Sequence, residues 1–315
     1  MKMKETQTKR TMDGFVLALV PGSLVMMYIF GLGILINILT AVVTVVLCEY
    51  LFLKARGMTV STKLDGSALA TGLLFGLTLP PLLPISMVIL GVTFTILIVK
   101  HVYGGLGNNL FNPAMAGFAA LVVSFPMAMS SWGIPFLDID LVETLEIKIG
   151  SPAIDGTTRA TPLHEFKFRE EVTNEEYWNE HYLENWRSWA FINLTFLFSG
   201  SYLLYKGLFT WYAPVAMLST ITLLSLCFYD GGSSASLGSP IFHLFSGATM
   251  LGAFFILTDP VTSPKSSLGQ TLFGIGIGML TFAIRTIGGY PEGLAFAVLL
   301  MNAVTPLINR LSFNK

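Results

Sequence analysis

Residues Ser246-Gly247-Ala248-Thr249 place two hydroxyl groups beside two very small side chains, just inside the start of an apolar run. A threonine hydroxyl can carry a bulky polar group, and Gly247 and Ala248 leave room for it. The start of a helix also has unpaired backbone N–H groups, which suit a phosphate. The pattern therefore predicts an attachment site at Thr249. The alternative is ordinary helix packing, because small residues also bring membrane helices together.

The composition indicates that these residues belong to a membrane protein. Of 315 residues, 53% are hydrophobic and 12% are charged, and the mean hydropathy is +0.68. Soluble domains average about 25% charged residues, so this chain cannot cover itself with polar groups. We predict an all-α polytopic integral membrane protein with about ten transmembrane helices, nine being the alternative. The predicted spans are 13–30, 32–53, 64–80, 84–102, 110–127, 188–206, 210–229, 241–257, 268–286 and 291–308.

Two of these spans, 64–80 and 241–257, are short and rich in glycine, so we expect them to be broken or re-entrant. The basic residues predict the orientation. Twelve of them fall on the side of the N-terminus, and only Arg285 falls in a short loop on the other side. The twelve are Lys2, Lys4, Lys9, Arg10, Lys54, Arg56, Lys63, Lys100, Lys206, Lys265, Arg310 and Lys315. The positive-inside rule then places both termini in the cytoplasm.

One polar insert, 128–187, separates two groups of five spans. It carries twelve acidic and five basic residues and falls on the extracytoplasmic side. It is either a solvated loop or a docking site for a partner domain. Ionisable residues at span ends, among them Arg285 and Glu292, are expected to be interfacial anchors.

A shift of 180 residues superimposes 68–80 on 248–260, with six coincident positions, and a Gly-Gly pair follows each segment. We therefore predict two inverted five-helix repeats, with a first membrane repeat at 1–127, the acidic loop at 128–187 and a second membrane repeat at 188–315. Inverted repeats with interrupted spans place binding sites near the repeat interface. Thr249 aligns with Leu69, so its hydroxyl is specific to the second repeat.

Seven sequence stretches together resemble one known family. They are 65–81, 103–115, 124–132, 155–163, 203–207, 240–249 and 284–293. The chain resembles the D subunit of the Rnf electron-transport complex, which is homologous to the B subunit of the sodium-pumping NADH:quinone reductase. The insert at 165–187 matches that family poorly.

The resemblance implies an FMN linked through its phosphate to Thr249, with Ser246, Gly247, Ala248 and His243 around it. A second stretch, from Asp155 to Thr161, also resembles the flavin-attachment pattern. In that pattern an Asp is followed, after any two residues, by Ser or Thr, a small residue, Ala and the acceptor Thr. There, Arg159 occupies the place of the small residue, and its bulk argues against Thr161. Conversely, the Thr249 stretch has His243 where the pattern has Asp. Both threonines are candidates, and the precedent of the family that the chain resembles favours Thr249.

The family also holds a non-covalent riboflavin beside an Asn-x-x-Asn-Pro segment, which here is Asn109 to Pro113. Two carboxamides three residues apart, on one face, could bind the edge of a flavin ring, which has donors and acceptors side by side. The alternative role of these asparagines is to cap the helix that follows. We expect no metal site, because the histidines lack metal-ligand spacing.

The resemblance implies a membrane subunit of an ion-translocating oxidoreductase of the ferredoxin:NAD+ type, in the bacterial inner membrane. Its implied partners are iron–sulfur subunits, a second subunit with covalent FMN, a flavin transferase and the lipid bilayer. No nucleic acid is implied. Coupling to Na+ or to H+ stays open. The rival interpretation is a channel or transporter for a small polar solute, since inverted repeats also build those, and bound flavin would discriminate between the two.

Overall fold

A computed structural model describes residues 2–57, 66–102, 109–150, 156–169, 173–178, 180–231, 233 and 235–312. Throughout this part of the chain the structure is helical, apart from turns and one short antiparallel pairing of β1 (Trp132–Gly133) with β2 (Thr158–Arg159). The chain forms two compact units, unit 1 (Met1–Arg159) and unit 2 (Ala160–Lys315). The acidic insert predicted as one segment therefore divides between the two units.

Unit 1 contains seven helices within the described residues. They are α1 (Lys2–Phe30), α2 (Leu32–Ala55), α3 (Gly66–Thr78), α4 (Ile85–Thr93, continued as a π-helix over Phe94–Val102), α5 (Pro113–Ser124), α6 (Pro126–Ser130) and α7 (Leu141–Ile149). Helix α3 packs closely on α2 because Gly72 and Gly76 lack side chains. A Cβ at either glycine would lie 2.8 Å from the Cα of Val42 or Ile38.

Unit 2 contains eight helices within the described residues. They are α8 (Pro162–Lys167), α9 (Asn174–Tyr177), α10 (Glu180–Tyr205), α11 (Tyr212–Phe228), α12 (Pro240–Leu244), α13 (Thr249–Leu251, continued as a π-helix over Gly252–Ile256), α14 (Ser267–Thr286) and α15 (Leu294–Ser312). Glycine again permits close packing, since a Cβ at Gly278 of α14 would lie 2.8 Å from the Met217 carbonyl oxygen of α11.

Five helical segments among the described residues are long and apolar enough to cross a membrane. They are Thr11–Phe30, Leu32–Ala55, Ile85–Val102, Ser267–Thr286 and Leu294–Leu311. Helices α3, α5 and α11 are apolar but shorter. Large apolar side chains such as Leu17 and Leu47 stay exposed, which suits contact with lipid. The structure thus agrees with an all-α membrane protein, while the count of ten spans in two inverted repeats stays a prediction.

The break predicted in span 241–257 is present. Helix α12 ends at Leu244 and α13 begins at Thr249, so the four residues from Phe245 to Ala248 form a non-helical turn, which we call the unit 2 turn. Unit 1 has a comparable interruption between α3 and α4. Its residues Leu79 to Pro84 form what we call the unit 1 turn.

Candidate functional site

The unit 2 turn requires glycine at position 247. Gly247 has φ +58°, in the left-handed region that residues with a side chain rarely adopt. A Cβ at this position would overlap the carboxylate of Glu292 and lie 2.6 Å from Cδ1 of Leu163. The small residue that the sequence analysis interpreted as room for a ligand is therefore in close contact with protein atoms.

Thr249 lies directly after this turn and is fully buried. Its hydroxyl oxygen lies 2.9 Å from the His243 carbonyl oxygen and 2.8 Å from the Ser246 carbonyl oxygen, and it accepts a 2.9 Å hydrogen bond from Nη2 of Arg285. The ring of His243 contacts the Leu237 carbonyl oxygen through Nε2 at 2.7 Å. The Oγ of Ser246 and the Nδ1 of His243 are buried and have no hydrogen-bond partner among the described residues.

Two charged residues complete the surroundings of Thr249. Arg285 is 3% exposed, donates from Nη1 to the His243 carbonyl oxygen at 2.9 Å, and forms an ion pair with Glu292 at 2.9 Å. The Glu292 carboxylate accepts from the Ala248 N–H at 3.0 Å. The expectation that Arg285 is an interfacial anchor is thus wrong, because its guanidinium is buried against the turn. The scarcity of ionisable residues in the spans was the signal that could have identified it.

Asn193 of α10 fixes the unit 2 turn from the other side. Its Nδ2 donates to the Gly247 carbonyl oxygen at 2.9 Å, and its Oδ1 accepts from the Met250 N–H at 3.0 Å. A buried carboxamide can satisfy backbone groups that a broken helix leaves unpaired. Sequence analysis did not select Asn193, since one asparagine in an apolar helix carries no motif.

Thr161, the second candidate threonine, occupies a different environment. It caps the N-terminus of α8, where its Oγ1 accepts from the His164 N–H at 3.3 Å, and its side chain is partly exposed. The preceding residue is fixed by Asn185, whose Nδ2 donates to the Ala160 carbonyl oxygen at 3.2 Å and to Glu165 at 2.9 Å. Thr161 is therefore held in place by its N-cap bond, and the residue as a whole stays partly exposed.

Helix α8 lies against the same end of unit 2 as the turn. The Nζ of Lys167 donates to the carbonyl oxygens of Ile284 and Tyr290 at 2.9 and 3.0 Å, and burial lowers the pKa of this ammonium. Leu163 approaches Gly247, and Leu163 also belongs to an apolar cluster. The other buried members of that cluster are Phe166, Tyr177 and Phe242, with Trp178 and Trp186 packed against them. Both candidate threonines thus belong to one region.

The comparisons with known proteins identify the family. Residues 2–315 match the NQR2, RnfD, RnfE family. A protein of Cellvibrio japonicus is 46% identical, over 96% of this chain and 89% of its own length, and one of Pseudomonas aeruginosa is 44% identical, over 93% and 86%. One of Aeromonas hydrophila is 43% identical, over 98% and 93%. All three are named as the D subunit of an ion-translocating oxidoreductase complex. This chain belongs to the NQR2, RnfD, RnfE family.

In this member of the NQR2, RnfD, RnfE family, the two predicted riboflavin-binding asparagines are both buried, in unit 1. Asn112 is the N-cap of α5, and its Oδ1 accepts from the Met115 N–H at 3.1 Å. Asn109 donates from Nδ2 to the Phe111 carbonyl oxygen at 3.0 Å. Because α5 begins at Pro113, the two carboxamides precede the helix, and the assumption that they share a helical face is wrong. The capping role of Asn112 is confirmed.

Proposed function

We propose that this chain is a membrane subunit of a redox-driven, ion-translocating oxidoreductase complex, and that it carries electrons through an FMN attached to a threonine at one end of unit 2. Family membership and the names of the relatives support the first part. The apolar helices support a place in the membrane. When bound, FMN would supply the one- and two-electron redox chemistry, and the protein would position and tune it.

The residues around the unit 2 turn have the chemistry to hold a flavin phosphate. Arg285 offers guanidinium N–H groups beside Thr249, and Ser246 Oγ is a buried hydroxyl without a partner. An arginine fork suits phosphate oxygens. However, the guanidinium already pairs with Glu292, and Thr249 is fully buried. Attachment at Thr249 would require the turn to open, or would have to precede folding of the turn.

The exposure of the two threonine residues carries our choice between them. Thr161 is partly exposed and Thr249 is 0% exposed. A separate transferase must bring the flavin phosphate into contact with the threonine oxygen, so an accessible hydroxyl on a fixed backbone is the better acceptor. We therefore favour Thr161 as the attachment site and keep Thr249 as the second candidate.

Mass spectrometry separates the two candidates cleanly. Trypsin releases Thr161 in the octapeptide from Ala160 to Lys167, and Thr249 in the long peptide from Gly207 to Lys265. In protein matured in its native host, we expect one FMN phosphodiester on the octapeptide. Thr161→Val should abolish in-gel flavin fluorescence, whereas Thr249→Val, its matched control, should keep it.

An adduct on the long peptide would restore Thr249 as the acceptor and would mean that the turn opens during maturation. No adduct on either peptide would contradict covalent FMN. It would then favour the alternative function, a channel or transporter for a small polar solute, which needs no flavin.

A second, non-covalent flavin at Asn109 and Asn112 is a further part of the proposal. Because Asn112 caps α5, Asn109→Leu is the cleaner single variant, and Asn109→Leu/Asn112→Leu is the complete one. We expect the double variant to keep covalent FMN and to lose acid-extractable riboflavin. A full equivalent of extractable flavin in that variant would mean that these residues serve only the backbone.

A further inference from the structure

A lysine ammonium is buried in unit 1 among oxygen atoms that carry no formal charge. Lys148 lies near the C-terminal end of α7 and is 1% exposed. Its Nζ donates to Asn37 Oδ1 at 2.6 Å, and to the carbonyl oxygens of Pro81 and Leu83, each at 2.9 Å. Three acceptors match the three N–H groups of the ammonium, so the hydrogen bonds of the head group are complete.

Carboxylates are absent from the described surroundings of this ammonium. The first ionisable residue of α4 is Lys100, in its π-helical continuation and fifteen residues past Ile85. The first one in α2 is Cys48, eleven residues past Asn37 and therefore about 16 Å along the helix. On α7 itself, Glu143 is partly exposed and Glu146 is exposed. Burial lowers the pKa of Lys148 to about 7. The positive charge is thus balanced by dipoles alone.

The oxygen cluster is held in place by contacts other than those to Lys148. The Nδ2 of Asn37 donates to the Pro80 carbonyl oxygen at 2.8 Å, which fixes the orientation of its Oδ1. Pro81 lies directly against α2 at Gly33, where a Cβ would overlap the Pro81 carbonyl. Prolines also restrict the backbone of this turn. The three oxygens are therefore preorganised, and α7 supplies only the cation.

We propose that Asn37 Oδ1 and the carbonyl oxygens of Pro81 and Leu83 form a binding site for a dehydrated monovalent cation, which the Lys148 ammonium occupies as a tethered cation. Neutral carbonyl oxygens replace the hydration shell of monovalent cations in selective sites. Divalent cations usually require carboxylate ligands, which this cluster lacks. The inference stands independently of flavin attachment.

The tethered ammonium and a free cation exclude each other, because both need the same oxygens. A free cation can bind only when Lys148 loses its proton or when α7 withdraws. Cation binding to the native chain should consequently strengthen as the pH rises. Replacing Lys148 by an uncharged residue should make it independent of pH.

The test measures thermal unfolding of the full chain in lipid nanodiscs, in NaCl, KCl or LiCl against choline chloride at equal ionic strength. Lys148→Met should show a saturable rise in apparent Tm of roughly 2–4 °C with one alkali cation at pH 6 and at pH 9. The unsubstituted chain should show it at pH 9 and not at pH 6. Adding Asn37→Leu to Lys148→Met should remove it.

Lys167→Met is the matched control, since Lys167 also donates to two backbone carbonyls but lies in unit 2. It should respond to cations as the unsubstituted chain does. Lys148→Arg keeps a tethered charge and should not respond at either pH. Flavin content, measured in parallel, would report any failure of the proposed function separately.

Three outcomes would overturn the cation site. One is an equal response to choline and to every alkali cation. Another is an unchanged response after the loss of Asn37. If Lys148→Met does not fold, the third is the absence of any cation response in the unsubstituted chain at pH 9.

Discussion

The two units satisfy the backbone of a non-helical turn in similar ways but with different charged groups. Each contains a non-helical turn inside an apolar bundle, so backbone carbonyls there need donors. In unit 1, Asn37 and Lys148 donate to carbonyl oxygens of the turn itself. In unit 2, Asn193 donates to the Gly247 carbonyl oxygen of the turn, and Arg285 donates to the carbonyl oxygen of His243, two residues before the turn. Each turn thus uses one carboxamide from a long helix and one buried cation. A broken membrane helix needs such partners because lipid offers none.

The cations differ in what balances them. Arg285 pairs with the Glu292 carboxylate, whereas Lys148 contacts only neutral oxygens among the described residues. The unit 2 turn is therefore held by an ion pair. The charge in the unit 1 turn can be removed by deprotonation. The ion pair fixes the geometry of the unit 2 turn, whereas the charge of Lys148 at the unit 1 turn can change.

The strongest test of this comparison removes each cation in turn. Arg285→Met should destabilise unit 2 by about 3 kcal/mol, because it leaves the Glu292 carboxylate without its cation. This loss is at the low end of the range for a broken buried ion pair, because the Glu292 side chain is 21% exposed. Lys148→Met should cost less, since it leaves neutral acceptors unpaired and also removes a buried charge. Unfolding of both variants by denaturant in mixed micelles checks this, and equal losses would refute the distinction.

The second test concerns the shape of the unit 2 turn. Gly247→Ala should cost about 2 kcal/mol, since the left-handed conformation costs roughly 1–2 kcal/mol and the added methyl group must displace Glu292. Gly207→Ala is the matched control, because Gly207 has φ +64° with no atom within 4 Å of an added Cβ. The difference in unfolding free energy between the two variants isolates the close contacts with Glu292 and Leu163. Identical values would show that these contacts contribute nothing.

The third test follows the charge on Lys148 with pH. Its pKa falls from the ordinary 10.5 to about 7 in the folded chain. Between these values the unfolded chain binds a proton that the folded chain does not, so stability must rise with pH across that window. Relative to Lys148→Met, the slope should reach at most about 1.4 kcal/mol per pH unit. A flat difference between pH 7 and pH 10 would mean that Lys148 keeps its proton.

The smallest expected effect separates the two asparagines before α5. Asn112→Ala should cost about 1 kcal/mol because it removes the N-cap bond to the Met115 N–H. Asn109→Ala removes a bond to the Phe111 carbonyl oxygen, which is not part of a helix, and should cost less. Thermal unfolding in the absence of added flavin measures both losses. A larger loss for Asn109 would contradict the capping assignment.

The sequence by itself determined the features that depend on local pattern. Apolar composition and run length decide that the chain is helical and belongs in a membrane. The short length and the glycines of span 241–257 predicted its break, whereas span 64–80, selected on the same basis, contains an unbroken helix over Gly66–Thr78. The four residues predicted around Thr249 lie within six positions of it, so their proximity follows from the chain itself. The stretch around Thr161 was visible as well, but the family precedent and the bulk of Arg159 ranked it second, although it has the Asp that the Thr249 stretch lacks.

Only the tertiary structure decided which distant side chains meet these segments. Arg285 reaches Thr249 across 36 positions, and Lys148 reaches Asn37 across 111. Neither pairing has a sequence period, because each depends on how helices pack. Burial is decided in the same way, since neighbouring helices close over Thr249 while the short α8 leaves Thr161 partly exposed. A hydroxyl's accessibility and a cation's counter-charge are properties of packing, and a local pattern of residue types does not contain them.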